Sequence, residues 1–168
     1  METTEVLMDA FERVRDAVHP AVNGLSDAEL AHRPGGGSNP IAWLVWHLTR
    51  IQDDHVAALA GAPQVWTAGG WADRFALPLD PSDTGYGHDP ETVALVRATA
   101  TDLLGYFEDV HAATRTYLAG VDDAELDRVV DTRWDPPVTV QVRLVSVLAD
   151  DLQHVGQAAY VRGILPAP

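Results

Sequence analysis

Two histidines lie in short segments whose other residues mostly suit an apolar helix. His47 lies within residues 43–48, and His154 lies within residues 150–157, where Asp150 precedes it by four positions. The segments are distant in sequence, so only the fold can bring them together. Two imidazoles and a carboxylate in an apolar interior are a common way to hold a divalent metal ion with one coordination position left open.

The second segment has a helical spacing that suits metal binding. Residues four apart on a helix lie about 40° apart around its axis, so Asp150 and His154 can reach one ion. Arg143 and Gln157 lie along the same stripe of the helix, and burying such a polar stripe is costly unless its groups pair or bind an ion. Asp151 is a competing carboxylate, because it lies three residues before His154 and further into the apolar arc.

The first segment is less specific. A single histidine on an apolar helix is more often a hydrogen-bonded core residue than a ligand, and an aspartate four residues before a histidine can be only a polar pair within one helix. Asp54 shares the direction of His47 on the predicted helix, while His55 could be a core histidine, a partner of a ligand or a ligand itself. Trp43 is either a core residue or part of a pocket wall beside His47.

The other four histidines have no such context. His19, His32, His88 and His111 lie near predicted helix ends, in loops or on polar faces, and we interpret them as structural or surface residues. The sequence has neither the Gly-x-Ser-x-Gly pattern of a nucleophilic serine nor a phosphate-binding Gly-x-x-x-x-Gly-Lys loop. Metal chemistry is therefore the chemistry that the residues favour.

Composition restricts the class of protein further. The chain has no cysteine, which excludes disulfides, zinc–thiolate sites and a cysteine nucleophile. Its formal net charge is −14, and so acidic a surface disfavours binding to nucleic acid and to anionic membranes. The N-terminus lacks the pattern of a secretory signal, and no apolar run reaches the ~20 residues of a membrane span. We therefore expect a cytoplasmic protein with one domain over residues 1–168.

Four main helices are predicted to position the candidate ligands. Their predicted ranges are residues 3–18, 40–62, 90–119 and 140–162. The first helix is expected to stop before Pro20, the second to begin at Pro40, and the last to have Thr139 as its N-cap.

Shorter features connect these helices. Ser26 and Glu29 predict a capping box and a short helix. Residues 61–90 predict a long irregular connection that packs against the core, and residues 129–138 a brief extended stretch. The fold class that follows is all-α, a four-helix bundle with a long crossover connection. Bundles of this kind build metal sites from side chains on facing helices.

With these features the chain resembles the DinB-like superfamily of four-helix-bundle metalloproteins, which includes the mycothiol- and bacillithiol-dependent enzymes. The matching features are Trp46-His47-Leu48 in the second helix and the acid-x-x-x-His-x-Gly-Gln pattern of residues 150–157 in the last. Residues 134–140 and 158–163 are also similar. The resemblance covers nearly the whole chain in helix order, and its specific pattern lies in the last helix.

The resemblance implies a divalent metal ion, most often zinc or nickel, held by His47, Asp150 and His154. It also implies that the chain can form a homodimer. Many members have a histidine at the place of Asp150, whereas the thiol-dependent isomerase branch is similar to this chain in having a carboxylate there. We therefore expect a metal-dependent transferase or isomerase that uses a low-molecular-weight thiol such as mycothiol.

The expected partners are a small-molecule thiol and an electrophilic or anionic substrate. Arg143 or Arg50 could bind an anionic group, Gln157 could orient a ligand or a water molecule, and Asp54 could support a metal ligand. Arg143, Gln157 and Asp54 are thus the predicted catalytic residues. The alternatives are a metal-dependent hydrolase, a non-catalytic metal-binding module of the stress response, and a dimeric bundle without metal.

Overall fold

The computed structural model describes residues 3–165, and four long helices form its frame. These are α1 (Thr3–Val22), α3 (Ile41–Ala60), α7 (Ala100–Leu118) and α9 (Val140–Gly163). The short helices between them are α2 (Asp27–Leu30), α4 (Val65–Ala68), α5 (Trp71–Phe75), α6 (Pro90–Val93) and α8 (Asp123–Leu126), with a 3₁₀ turn at Pro34–Gly36. Two short antiparallel strands, β1 (Val129–Asp131) and β2 (Val138–Thr139), precede α9.

The long helices pack as a four-helix bundle. Helix α3 packs against α7 and α9, and α1 packs against the same two helices, so α1 and α3 lie diagonally across the bundle. Large side chains that fill the core between them include Phe11, Trp46, Phe107 and Leu144. The predicted all-α fold class is confirmed, and the packing of α3 on α9 aligns the two helices that carry the candidate ligands.

Two predicted helix boundaries are wrong. Helix α1 continues through Pro20 to Val22. Pro20 cannot donate to the carbonyl of Asp16, but the burial of Ala21 and Val22 favours the longer helix. The third predicted helix is not continuous, since residues 94–99 separate α6 from α7. Each of these two helices has its own N-cap. Asp89 accepts a hydrogen bond from the Thr92 backbone, and Thr99 caps α7.

Most other local predictions are confirmed. Ser26 and Glu29 form the capping box of α2, Thr139 is the N-cap of α9, and residues 129–139 include the two short strands. Pro40 is the residue just before α3 rather than its first helical residue. The long connection packs against the core as expected, although it contains two helical turns, α4 and α5, and buries Trp66.

A buried carboxylate fixes the start of the long connection. Asp53 on α3 accepts hydrogen bonds from the backbone N–H groups of Val65 and Trp66, at 2.9 and 2.7 Å, and from the Tyr106 hydroxyl on α7, at 2.8 Å. The guanidinium of Arg50 lies 3.7 Å from the same carboxylate. One side chain therefore joins α3, α4 and α7, and holds the connection over α3.

We expect Asp53→Ala to lower the free energy of unfolding by about 3–5 kcal/mol, because it leaves a buried cation and two backbone donors without their partner. Urea unfolding followed by far-UV circular dichroism measures this. Asp16→Ala, at an exposed position on α1, is the control and should stay within about 0.5 kcal/mol of the parent. Similar values for the two variants would contradict the structural role of Asp53.

Candidate metal centre

The polar stripe of α9 meets α3 at His47. His47 Nε2 lies 4.0 Å from one carboxylate oxygen of Asp150, and His154 Nε2 lies 3.5 Å from the other. The three potential ligand atoms all lie within 4.8 Å of one another. The structure thus brings together the three predicted metal ligands, and this cluster could hold a metal ion.

The orientation of His47 is set by a backbone carbonyl. Its Nδ1 lies 2.6 Å from the carbonyl oxygen of Thr84, which can only accept a hydrogen bond. Nδ1 therefore carries the proton, and Nε2 presents its lone pair on the side of Asp150. Burial lowers the pKa of His47, against an opposing effect of the Thr84 hydrogen bond. The imidazole is therefore neutral at pH 7, which is the form that binds metal.

His154 has an equivalent arrangement. Its Nδ1 lies 2.8 Å from the side-chain oxygen of Gln157, so Nδ1 donates and Nε2 is left with a lone pair on the side of Asp150. Burial lowers the pKa of His154, but the hydrogen bonds that its protonated form makes to Asp150 and Gln157 outweigh this, and the net shift is upward. Protons therefore compete with a metal for this nitrogen, and metal affinity should fall as the pH is lowered.

Asp150 gives an independent indication that the site suits a cation. Its Oδ2 atom is buried and has no hydrogen-bond partner among residues 3–165. A buried carboxylate oxygen is costly without a partner. Together with two imidazole lone pairs, this oxygen completes a donor set that suits zinc and other divalent first-row metals. The residues present therefore fit a metal ion.

The competing carboxylate lies elsewhere. Asp151 is completely buried, and neither of its carboxylate oxygens has a hydrogen-bond partner among the described residues. Burial, and then the charge of Asp150, raise the pKa of Asp151 well above its ordinary value. Asp151 does not join the cluster of His47 and His154, so the geometry favours Asp150 as the carboxylate ligand.

Of the three residues predicted to act beside the metal, Gln157 contacts a candidate ligand directly. Arg143 lies 3.5 Å from the Asp131 carboxylate on β1, and Asp54 accepts a hydrogen bond from the Gln64 side chain at 2.7 Å. His55 is within electrostatic range of Arg143, Asp54 and Asp150, and burial lowers its pKa. The catalytic roles of Arg143, Gln157 and Asp54 stay predictions.

Arg50 is held inside the protein. Its side chain is fully buried, with Nε donating to the Asp83 carbonyl at 3.1 Å and Nη1 to the Gln64 side chain at 2.9 Å. Its guanidinium also lies over the Trp66 ring. These contacts anchor the long connection and leave Arg50 poorly placed to bind an anionic substrate.

Sequence reasoning missed the contribution of residues 83–88. Thr84 supplies the carbonyl that orients His47, and His88, interpreted from the sequence as structural or surface, has a side chain that is only 7% exposed. The buried Gly85 has φ +89°, and a Cβ atom there would lie 2.8 Å from His47 Nδ1. The length of the connection was the available signal, because long connections in compact domains are often functional.

A groove of about 670 Å³ adjoins the cluster through Gln157. It runs between α9 and residues 34–39, and its wall consists of apolar and uncharged polar residues. They are Pro34, Ser38, Asn39, Leu44, Gln153, Gly156, Gln157, Tyr160, Val161 and Ile164. A small molecule in this groove would therefore meet amide groups and apolar surface rather than charged side chains.

Comparison with known proteins identifies the class. The DinB superfamily matches residues 10–158, and the chain belongs to that superfamily. A crystal structure described as the conserved protein of locus from Enterococcus faecalis is 32% identical, with a TM-score of 0.90 and 96% of each chain covered. No curated protein matches the chain. Among the described residues, no helix is long and apolar enough to cross a membrane.

The raised pKa of Asp151 predicts a pH-dependent stability. The folded state disfavours ionisation of Asp151, so this group destabilises the fold increasingly as the pH rises above the ordinary value of about 3.9. Asp151→Asn removes this effect. The stability of the variant relative to the parent should therefore increase by about 1.4 kcal/mol per pH unit until the folded-state pKa is reached. Urea unfolding of metal-free protein between pH 5.5 and 8 tests this, and parallel pH profiles would contradict it.

Proposed function

We propose that this chain binds one divalent metal ion through His47 Nε2, Asp150 and His154 Nε2, and uses it to activate a low-molecular-weight thiol for S-transfer or isomerisation. The observation that carries the metal proposal is the convergence of three ligand atoms within 4.8 Å. The Thr84 carbonyl and the Gln157 side chain support it, because they leave both Nε2 lone pairs available. Zinc and nickel are the proposed metals.

Three protein ligands leave room for one exogenous ligand. A divalent ion in this position would favour the thiolate form of a coordinated thiol and would polarise a substrate carbonyl. The protein residues have separate tasks. His47 and His154 supply neutral nitrogen, Asp150 supplies the negative charge, and the buried Trp43 ring stacks on His47 at 4.5 Å and shields it from water.

The groove favours an uncharged thiol over an anionic one. Its lining offers the side-chain amides of Asn39, Gln153 and Gln157, and no cation. The chain as a whole has a net charge of −14, so an anionic thiol or substrate would be repelled on approach, and the described residues that line the groove offer it no cationic side chain. Mycothiol, a neutral glycoside with amide and hydroxyl groups, is therefore the thiol that we propose. The location in the cytoplasm stays a prediction.

The outer face of α9 supports the homodimer. An exposed stripe at heptad spacing contains only apolar residues, namely Val142, Val145, Ala149, Leu152, Gly156 and Ala159. Because two copies that each carry a charge of −14 repel one another, an uncharged apolar stripe is a suitable place for them to meet. We propose that a second copy of this chain covers it.

Introducing charge into the stripe tests the dimer. Val145→Glu with Leu152→Glu should convert a dimer to a monomer in sedimentation-velocity analysis, because the two new carboxylates would face their own copies across the two-fold axis. Thr116→Glu, at an exposed position on α7, is the control and should leave the association state unchanged. A parent protein that sediments as a monomer at all concentrations would contradict the dimer.

Substitution of single ligands tests the metal site. Zinc affinity, measured by competition with a chromophoric chelator, should fall in His47→Ala and Asp150→Asn by more than the roughly 10- to 100-fold cost of losing an outer-shell partner. Asp151→Asn is the matched control and should retain affinity within about threefold. Full metal content in His47→Ala would show that His47 is not a ligand and that the proposed site is wrong. Loss of metal in Asp151→Asn but not in Asp150→Asn would show that Asp151, rather than Asp150, is the carboxylate ligand.

The thiol is tested separately with cobalt(II) in place of the native metal. Adding mycothiol should produce a sulfur-to-cobalt charge-transfer band in the near ultraviolet, whereas anionic glutathione should produce it only at much higher concentration. Absence of the band with every thiol, together with thiol-independent turnover of an ester or amide, would replace the transferase proposal with a hydrolase.

A further inference from the structure

A hydrogen-bonded chain outside the predicted ligand set ends on the ring that stacks against His47. Trp43 Nε1 donates to His88 Nδ1 at 3.1 Å, and His88 Nε2 lies 2.9 and 3.0 Å from the two carboxylate oxygens of Asp83. An indole N–H can only donate, so His88 Nδ1 accepts and His88 Nε2 carries the proton that it donates to Asp83. The donor and the acceptor of each hydrogen bond between Trp43, His88 and Asp83 are therefore defined.

This series of hydrogen bonds acts on His47 through Trp43. The two rings are nearly parallel, with an interplanar angle of 16° and centroids 4.5 Å apart. Trp43 lies one helical turn before His47 on α3, and its own ring is tied to the loop by His88. Rotation of the His47 imidazole would require Trp43 to move, and Trp43 cannot move without losing its hydrogen bond in a buried position.

Asp83 connects this chain to the second contact that orients His47. Its carboxylate also accepts from the Gly85 backbone N–H at 2.8 Å, and Gly85 follows Thr84, whose carbonyl is the partner of His47 Nδ1. The same carboxylate thus positions both the Trp43 ring, through His88, and the loop backbone that holds His47.

We propose that Asp83, His88 and Trp43 form a positioning chain that holds the His47 imidazole in the orientation and tautomer needed for metal binding. The proposal rests on the metal site proposed above and adds residues that do not touch the ion. Outer partners of metal-binding histidines commonly affect affinity in this way. His88 is accordingly a positioning residue rather than a ligand.

Two matched substitutions distinguish positioning from simple packing. His88→Leu breaks the hydrogen-bonded chain, because leucine can neither accept from Trp43 nor donate to Asp83. His111→Leu replaces another buried histidine, which is 3% exposed, stacks on Phe107 and lies 3.3 Å from Glu12 in the α1–α7 interface. Both variants remove a buried imidazole and the contacts that it makes. Only the first removes a contact that leads to His47.

The measurement is zinc affinity by chelator competition, with the d–d absorption of the cobalt(II) protein as a second readout. We expect His88→Leu to bind zinc about tenfold more weakly than the parent and to change the cobalt spectrum. His111→Leu should match the parent in both respects. Parent affinity and an unchanged spectrum in folded His88→Leu would overturn the positioning role.

Trp43→Phe tests the same proposal if His88→Leu does not fold. The phenylalanine ring can still stack on His47 but lacks the N–H group that reaches His88. Trp43→Phe should also weaken zinc binding. The double variant should bind zinc at most about twofold more weakly than the single variant with the lower affinity, because both substitutions break the same hydrogen-bonded chain. Unchanged affinity in Trp43→Phe, or fully additive losses, would overturn the proposal. A parent that binds no metal would instead overturn the proposed function itself.

Discussion

The first half of α3 is buried on every side, and this constraint determines how the site is built. All residues from 41 to 50 are buried, so leaving a polar side chain there without a partner costs free energy. Thr49 bonds back to the Val45 carbonyl, and Arg50 reaches the Asp83 carbonyl. His47 has the Thr84 carbonyl on one ring nitrogen. Its other nitrogen lies beside Asp150, where a metal ion would complete its bonding.

The long connection covers the part of α3 around His47, which also packs against α7 and α9. The connection is therefore part of the site as well as a link between helices. Asp53 fixes its beginning by accepting from the backbone of Val65 and Trp66, and Arg50 fixes its later part at Asp83. Between them, these contacts place Thr84 over His47. The long connection thus covers His47 on α3, and Asp53 and Arg50 on the same helix hold the connection in place.

The ligand-bearing helices could be predicted from the sequence because helical spacing alone relates Asp150 to His154. The relation of both to His47 needed the family pattern, since nothing local to His47 distinguishes it from a core histidine. Thr84 and His88 could not be predicted. Thr84 contributes only a backbone carbonyl, which any residue type could supply. His88 contacts Trp43, which lies 45 residues away in the sequence. The break before α7 was missed because the apolar periodicity continues through it, and only the Thr99 cap marks the start of the helix.

The most direct measurement is X-ray absorption at the metal edge of the untagged, metal-loaded protein. The account predicts one ion per chain with nitrogen and oxygen neighbours at about 2.0–2.2 Å and the outer-shell scattering of two imidazoles, reduced to one imidazole in His154→Ala. Substoichiometric metal, or a spectrum without imidazole scattering, would contradict the central claim that His47, Asp150 and His154 together bind the metal.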